Sequence, residues 1–238
     1  MSLRRAGTGR TIGIVSTIND PQLPPLQIAQ AADTPLGHWL MQETSGSECT
    51  DASGNGHHGV YTGVTLAQSP LSGQGLYSVT MGRADITYGA WMNVDSYTAE
   101  VLVYPTNVAG TSSPMGRNVS GDGFLWTWNN AGQTTYLYNN SGTAFILPAG
   151  TAIAANTPYL LALRWDSGAN KGSAWINGVK SCEIATTGTA NKPTINMGIG
   201  SVGGGTYQWA GRESFAAYYG TALSDARLLA HAQAAGLA

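Results

Sequence analysis

The stretch from Tyr159 to Lys180, YLLALRWDSGANKGSAWINGVK, limits the fold more than any other part of the chain. Tyr159, Leu161, Leu163 and Trp165 alternate with residues that include Arg164 and Asp166. A period of two places the first set on one face of a strand with one buried side. A polar loop follows, then a second strand, then Asn177-Gly178 and the start of a third strand. Asn and Gly both tolerate positive φ, and a two-residue type I′ turn carries the twist that antiparallel strands need. The segment reads as sheet.

With 238 residues the chain can bury a sizeable core as one β-sandwich. Its 32 glycines and only 10% charged residues suit short strands joined by many turns, with hydroxyls and amides supplying solubility. A net charge of −2 gives no electrostatic case for nucleic acid or an anionic membrane. No segment reaches the length of a membrane span. The start, MSLRRAGTGRTIGIVSTINDPQ, lacks the apolar core and cleavage pattern of a secretory signal, so assembly in a cytoplasm is expected. In that compartment Cys49 and Cys182 are expected to be free thiols; their spacing suits neither a metal motif nor a close redox pair.

Residues 1–35 are expected to form an extended arm, apart from a sandwich domain over residues 36–238. Pro21, Pro24, Pro25 and Pro35 argue against a continuous helix. Such a segment buries too little apolar surface to offset its ordering entropy, which points to an anchor held by a neighbouring subunit or assembly. Arg4, Arg5 and Arg10 would pair with acidic sites on that partner. Ile12, Ile14, Val15 and Ile18 would add strand pairing at a sheet edge. The alternative is an arm folded back on its own domain.

Three clusters carry candidate chemistry. In the bend DASGNG (51–56), Asp51 and Asn55 offer oxygens to a calcium ion, although such side chains more often satisfy local backbone groups. The adjacent His57 and His58 would point to opposite faces of a strand and so make poor joint ligands. In FLWTWNNAGQTTYLY (124–138), Phe124, Trp126 and Trp128 share one face of a strand, and Tyr136 and Tyr138 one face of its return. An exposed face would make Trp126, Trp128, Tyr136 and Tyr138 a stacking platform for sugars, with Asn129 as a hydrogen-bonding partner; an inward face would make them core. Glu100, Asp95 and Asp122 are the acids a glycosidase reading would use. That reaction needs two carboxyls facing across a cleft, and no Glu-x-Asp-x-Glu arrangement occurs, so a non-enzymatic protein is expected.

Near the end, Ser224 is a candidate N-cap with Asp225 favouring the helix dipole. A helix over 226–235 would stop at Gly236 and pack Leu228, Leu229 and Ala232 on the sandwich.

Taken in order, DASGNGHHGVYTG (51–63), YTAEVLVYPTN (97–107), YLLALRWD with SAWINGV (159–179), MGIG (197–200) and WAGRESFAAYYGTALSDARLLAHAQAAG (209–236) resemble the laminin-G-like, concanavalin A-like family. The resemblance spans about 200 residues, from near Pro35 onward. It implies an all-β, two-sheet antiparallel jelly-roll sandwich with one concave sheet and a short C-terminal helix. Glu213 and Ser214 after Gly211 depart from the family pattern and weaken a transferred calcium site, leaving no cofactor expected apart from that candidate.

The ending SDARLLAHAQAAG also looks like those of bacteriophage minor tail proteins. This resemblance implies a virion structural protein, a minor tail or capsid decoration component present in symmetric copies, with other virion proteins and host-surface polysaccharide as partners. A stand-alone carbohydrate-binding module and, behind it, a glycoside hydrolase are the other readings. Exposure of the four rings and a facing pair of carboxylates would tell them apart.

Overall fold

The segment expected to be strands forms three of them, paired antiparallel in chain order. The turn joining the last two has φ of 50° at Asn177 and 73° at Gly178, the left-handed pair of a type I′ turn. The structure, a computed structural model, describes residues 23–75, 77–80, 82–108, 112–119, 122–129, 132–138, 144–147, 152–185, 190 and 192–238.

The elements begin with α1 (Pro25–Ala31), β1 (Gly37–Trp39), β2 (Glu48–Cys49), β3 (Gly59–Thr62), β4 (Thr65–Gln68), β5 (Ser78–Thr80) and β6 (Arg83–Ile86). After a single 3-10 turn at Ala90–Met92 come β7 (Tyr97–Pro105), β8 (Met115–Val119), β9 (Asp122–Asn129), β10 (Gly132–Tyr138) and β11 (Ala144–Leu147). The chain continues with β12 (Tyr159–Asp166), β13 (Lys171–Ile176), β14 (Val179–Ala185), β15 (Met197–Ile199), β16 (Gly211–Tyr219) and α2 (Asp225–Ala234). They build two antiparallel sheets. One runs β14-β13-β12-β7-β16-β5-β4 with β1 also on β16; the other runs β11-β10-β9-β8-β15-β6-β3-β2.

Between the sheets lies the main core. Val101, Val103, Leu161, Leu163 and Trp165 from the first sheet meet Ile86, Met115, Phe124, Met197 and Ile199 from the second. Each large apolar side chain so buried contributes about 1.5–3 kcal/mol. The alternation along β12 holds, but its other face is not open to water. Leu160, Ala162 and Arg164 are also buried, because α1 and α2 lie across that side. The expectation of one buried face is corrected: this sheet is covered on both.

A bulge in β16 makes the double burial work. Ser214 pairs with Leu102 and Ala217 with Glu100, with a register shift between them, and Phe215 takes a φ of 50°. The extra residue sends Phe215 to the helical side beside Leu102 and returns Ala216 and Tyr218 to the inter-sheet core.

The arm expected over residues 1–35 is also corrected. Pro25 opens α1 in its first turn, where a missing N–H breaks no intrahelical bond and the fixed φ suits a helix. Leu26 and Gln30 are wholly buried, and the Leu26 backbone N–H donates to Gln74 Oε1 at 3.1 Å. Residues 23–35 thus belong to the folded domain. The anchor candidates Arg4, Arg5, Arg10, Ile12, Ile14, Val15 and Ile18 lie outside the described residues.

In α2 the Ser224 hydroxyl accepts the Arg227 N–H, a cap worth about 1 kcal/mol. Leu228 and Ala232 pack inward; Leu229, expected to join them, is 39% exposed. Both cysteines are free. Among the described residues no helix is long and apolar enough to cross a membrane.

Candidate functional site

The candidate acids do not share a site. Glu100 is wholly buried on the helical side of β7, where Oε2 meets His231 Nδ1 at 2.8 Å, the Tyr219 hydroxyl at 3.3 Å and Gln30 Nε2 at 3.4 Å. Asp95 is on an exposed loop, paired with Lys192 at 2.6 Å. Asp122 opens β9, and its side chain lies outside the described residues. Glu213, which no sequence argument singled out as an acid, is wholly buried on the inter-sheet side opposite Val103 and Val79. Its carboxyl oxygens have no hydrogen-bond partner among the described residues, and burial pushes its pKa well above the usual carboxylate range.

His231 Nε2 lies 2.9 Å from Asp33 Oδ2 and 3.0 Å from the Ala29 carbonyl. Both ring nitrogens therefore meet only acceptors, which calls for the doubly protonated ring. Burial pulls the His231 pKa down, but the Glu100 hydrogen bond and the Glu100 and Asp33 charges outweigh it, and the net direction is up. Arg227 closes the far side on Asp33 at 2.8 Å. These groups tie α1 and α2 to β7.

Where α1 ends, the chain turns at Thr34, with φ 49°, and runs into β1. The loop after β2 folds against this corner and leaves a pocket of about 380 Å³, walled by Thr34, Pro35, Leu36, Ser53 and Asn55, with His38 buried at its base. Asp51 shapes the loop. Its Oδ1 accepts the His38 and Ser53 backbone N–H groups, each at 2.9 Å; its Oδ2 accepts the Ser53 hydroxyl at 2.8 Å and the His57 N–H at 2.9 Å. The Leu36 carbonyl gathers Asn55 Nδ2 at 3.1 Å and His57 Nδ1 at 2.7 Å. A carbonyl only accepts, so His57 carries a proton on Nδ1.

The His57 ring stacks on Trp91, with centroids 3.8 Å apart and planes 8° from parallel. Trp91 sits on the 3-10 turn, and the wholly enclosed guanidinium of Arg117 holds that turn by donating to the Met92 carbonyl and Asn93 Oδ1, each at 2.7 Å, and to the Pro193 carbonyl. Both stacked rings remain partly exposed. Through the Leu36 carbonyl this partly exposed aromatic pair adjoins a pocket edged with hydroxyl and amide groups, a mix of apolar and polar surface suited to a sugar.

Two expected sites change in part. Asp51 spends its carboxylate on four protein donors and Asn55 turns its Nδ2 to the Leu36 and Pro35 carbonyls, so the calcium candidates serve the loop backbone; among the described residues no cluster of three or more His, Cys, Asp or Glu is placed to hold a metal. Trp126 is 2% exposed in the inter-sheet core beside Phe124, so it presents no stacking face. The ladder sets Trp126 opposite Thr135 and Tyr136 opposite Leu125, so Trp126 and Tyr136 are not cross-strand partners. The side chains of Trp128, Asn129, Tyr136 and Tyr138 lie outside the described residues.

Sequence reasoning passes over Trp91. Its signal is the run TYGAWMN (87–93), a tryptophan between glycine and asparagine outside any alternating pattern.

Residues 59–228 match a family model described as the concanavalin A-like lectin/glucanases superfamily. No curated protein sequence matches the chain. Among solved structures, the binding domain of Paraclostridial Mosquitocidal Protein 1 superposes with a TM-score of 0.65 at 13% identity, over 84% of this chain and 52% of that one. Trypanosoma rangeli sialidase in complex with sialic acid gives 0.60 at 14% identity, over 83% and 32%. The binding domain of Botulinum Neurotoxin DC in complex with SialylT gives 0.60 at 11% identity, over 86% and 52%. The chain spans about half or less of the length of these solved proteins, and at such identities the likeness is one of fold.

Proposed function

The chain belongs to the concanavalin A-like lectin/glucanases superfamily, and on that footing we propose that it is a carbohydrate-binding domain without catalytic activity, displayed on a bacteriophage particle. The single observation that carries the binding half is the partly exposed Trp91–His57 stack beside the pocket at the end of α1. The case against catalysis rests on where the acids lie: Glu100 and Glu213 are wholly enclosed on opposite faces of one sheet, and Asp95 is an exposed ion-pair partner. The solved proteins of like fold include one in complex with sialic acid and one in complex with SialylT, which supports a glycan as ligand.

The virion half rests on the resemblance of residues 224–236 to phage tail proteins and on the cluster Arg4, Arg5 and Arg10 ahead of the folded domain. In this reading residues 1–22 dock on other virion proteins, and symmetric copies face the sandwich outward toward host polysaccharide. A stand-alone carbohydrate-binding module shares the first half and lacks the second.

Binding of the intact chain to host-surface polysaccharide, compared with Trp91→Ala, tests the first half. Equal retention of both proteins, or of neither, counts against it. Removal of residues 1–22, which leaves α1 in place, tests the second: undiminished incorporation into particles would overturn the anchor.

A further inference from the structure

We infer that the pocket between the end of α1 and the 51–55 loop is a subsite for one uncharged sugar unit, and that it excludes acidic sugars. The inference rests on the carbohydrate-binding reading above and names the site and ligand class that reading leaves open.

A volume of about 380 Å³ lies in the range of small-ligand pockets and is ample for a single sugar ring. The lining mixes apolar Pro35, Leu36 and alanines with a few polar groups, the balance expected of a site that buries a ring and orients its hydroxyls. The polar groups are neutral. Gln30 Nε2 donates to the Phe215 carbonyl and to Glu100, so Gln30 presents its oxygen to His38 Nε2 at 3.1 Å, and that nitrogen must carry the proton. His38 Nδ1 is then an acceptor, suited to a sugar hydroxyl. Burial, against the pull of Asp51, lowers the His38 pKa to about 4, so the ring stays uncharged at neutral pH. Asn55, with its Nδ2 engaged by the Leu36 carbonyl, keeps Oδ1 as a second acceptor.

Charge decides the ligand class. Among the described residues no lysine or arginine lines the pocket. On the loop stands the carboxylate of Asp51, hydrogen-bonded to Ser53, whereas Asp33, next to Thr34 at the helix end, is balanced by Arg227 and His231. A carboxylate on the sugar would enter without a counter-charge in the described lining and beside the Asp51 carboxylate, which disfavours it. The His57–Trp91 stack, joined to the pocket through the Leu36 carbonyl, would extend the site to a neighbouring unit of the same chain of sugars.

The test titrates the intact chain with methyl β-galactoside, methyl α-mannoside, methyl β-glucoside and N-acetylneuraminic acid by ligand-observed NMR. Ala52→Trp and Ala31→Trp fill the pocket from opposite walls at exposed positions, and circular dichroism checks their fold. The expected result is binding of a neutral glycoside, N-acetylneuraminic acid at least tenfold weaker, and at least a tenfold loss in both variants. Neutral binding that survives both substitutions, a preference for the acidic sugar, or no binding of any neutral glycoside overturns the assignment. Polysaccharide retained equally by the parent and both variants would overturn the pocket alone, whereas retention by none would overturn the carbohydrate reading with it.

Discussion

His231 Nδ1 lies 2.8 Å from Glu100 Oε2, and both side chains are wholly buried between α2 and the sheet. Gln30 and Asp33, at the end of α1, share in the same network of contacts, so helix placement and pocket shape are one problem. The base of the pocket, His38, is one step from this network through Gln30.

Two buried histidines give stability opposite dependences on pH. The pKa of His231 is raised in the folded state, so its contribution is complete below the unfolded value near 6.5 and is lost as pH rises through the folded value. The pKa of His38 is lowered to about 4, so stability falls as pH drops from about 6.5 toward 4, where the unfolded ring takes up a proton that the folded one refuses. Full development of the His38 effect is on the order of 3 kcal/mol. In urea melts across pH 4–9, His231→Gln should lessen the loss of stability above pH 6.5 and His38→Gln the loss below it. Unchanged limbs in both variants would refute the assignment.

Glu213 should be a liability. A carboxyl with no hydrogen-bond partner among the described residues, buried between two sheets, remains protonated, and its raised pKa means that stability declines once pH exceeds the unfolded value and the unfolded chain ionises. Glu213→Gln should stabilise the fold by about 1–2 kcal/mol at pH 7, with a smaller gain at pH 4. Thermal melts at the two pH values check this; a destabilised variant would mean that Glu213 has a use inside the core.

Arg117 supports the aromatic pair from below. Arg117→Met removes donors to the Met92 and Pro193 carbonyls and to Asn93, and should cost about 3 kcal/mol while loosening the Trp91 turn. Denaturant melts would give the first quantity and polysaccharide retention the second. Retention equal to that of the parent would separate Trp91 placement from Arg117.

Asp51 acts on its own loop. Adding millimolar calcium or a chelator should leave the melting temperature unchanged, while Asp51→Ala, which strands four donors, should lower stability by about 2 kcal/mol. A calcium-dependent rise in melting temperature, lost in Asp51→Ala, would restore the metal reading.

The sheets were legible because alternation and turn chemistry are local. Leu161, Leu163 and Trp165 read as an inward face, Asn177-Gly178 as a hairpin turn and Ser224 as a cap, and each takes that place. What failed depended on partners far along the chain. Pro24 and Pro25 read as part of an extended arm, yet Pro25 begins a helix whose stability comes from burial of Leu26 and Gln30 against β16 and its neighbours. The Trp126 face was open to two readings, core being the commoner, since alternation does not say which side meets the other sheet. The pocket was the least visible, because it forms between residues near 34 and residues near 53 that only the folded β1 brings together.

The position of α1 has a mechanical consequence. Residues 1–22 join the folded domain covalently at Leu23, two residues ahead of this helix. A pull applied at Leu23 reaches the sandwich through α1, as a load shared by buried Leu26, the Gln30 hydrogen bonds and the Asp33–Arg227 pair just past the helix's far end. Those contacts are spread along the helix rather than gathered at one point, so tension must strain several at once before the domain gives way. The same helix walls the pocket, and a tug at the amino-terminal side would therefore be felt where the sugar is proposed to sit.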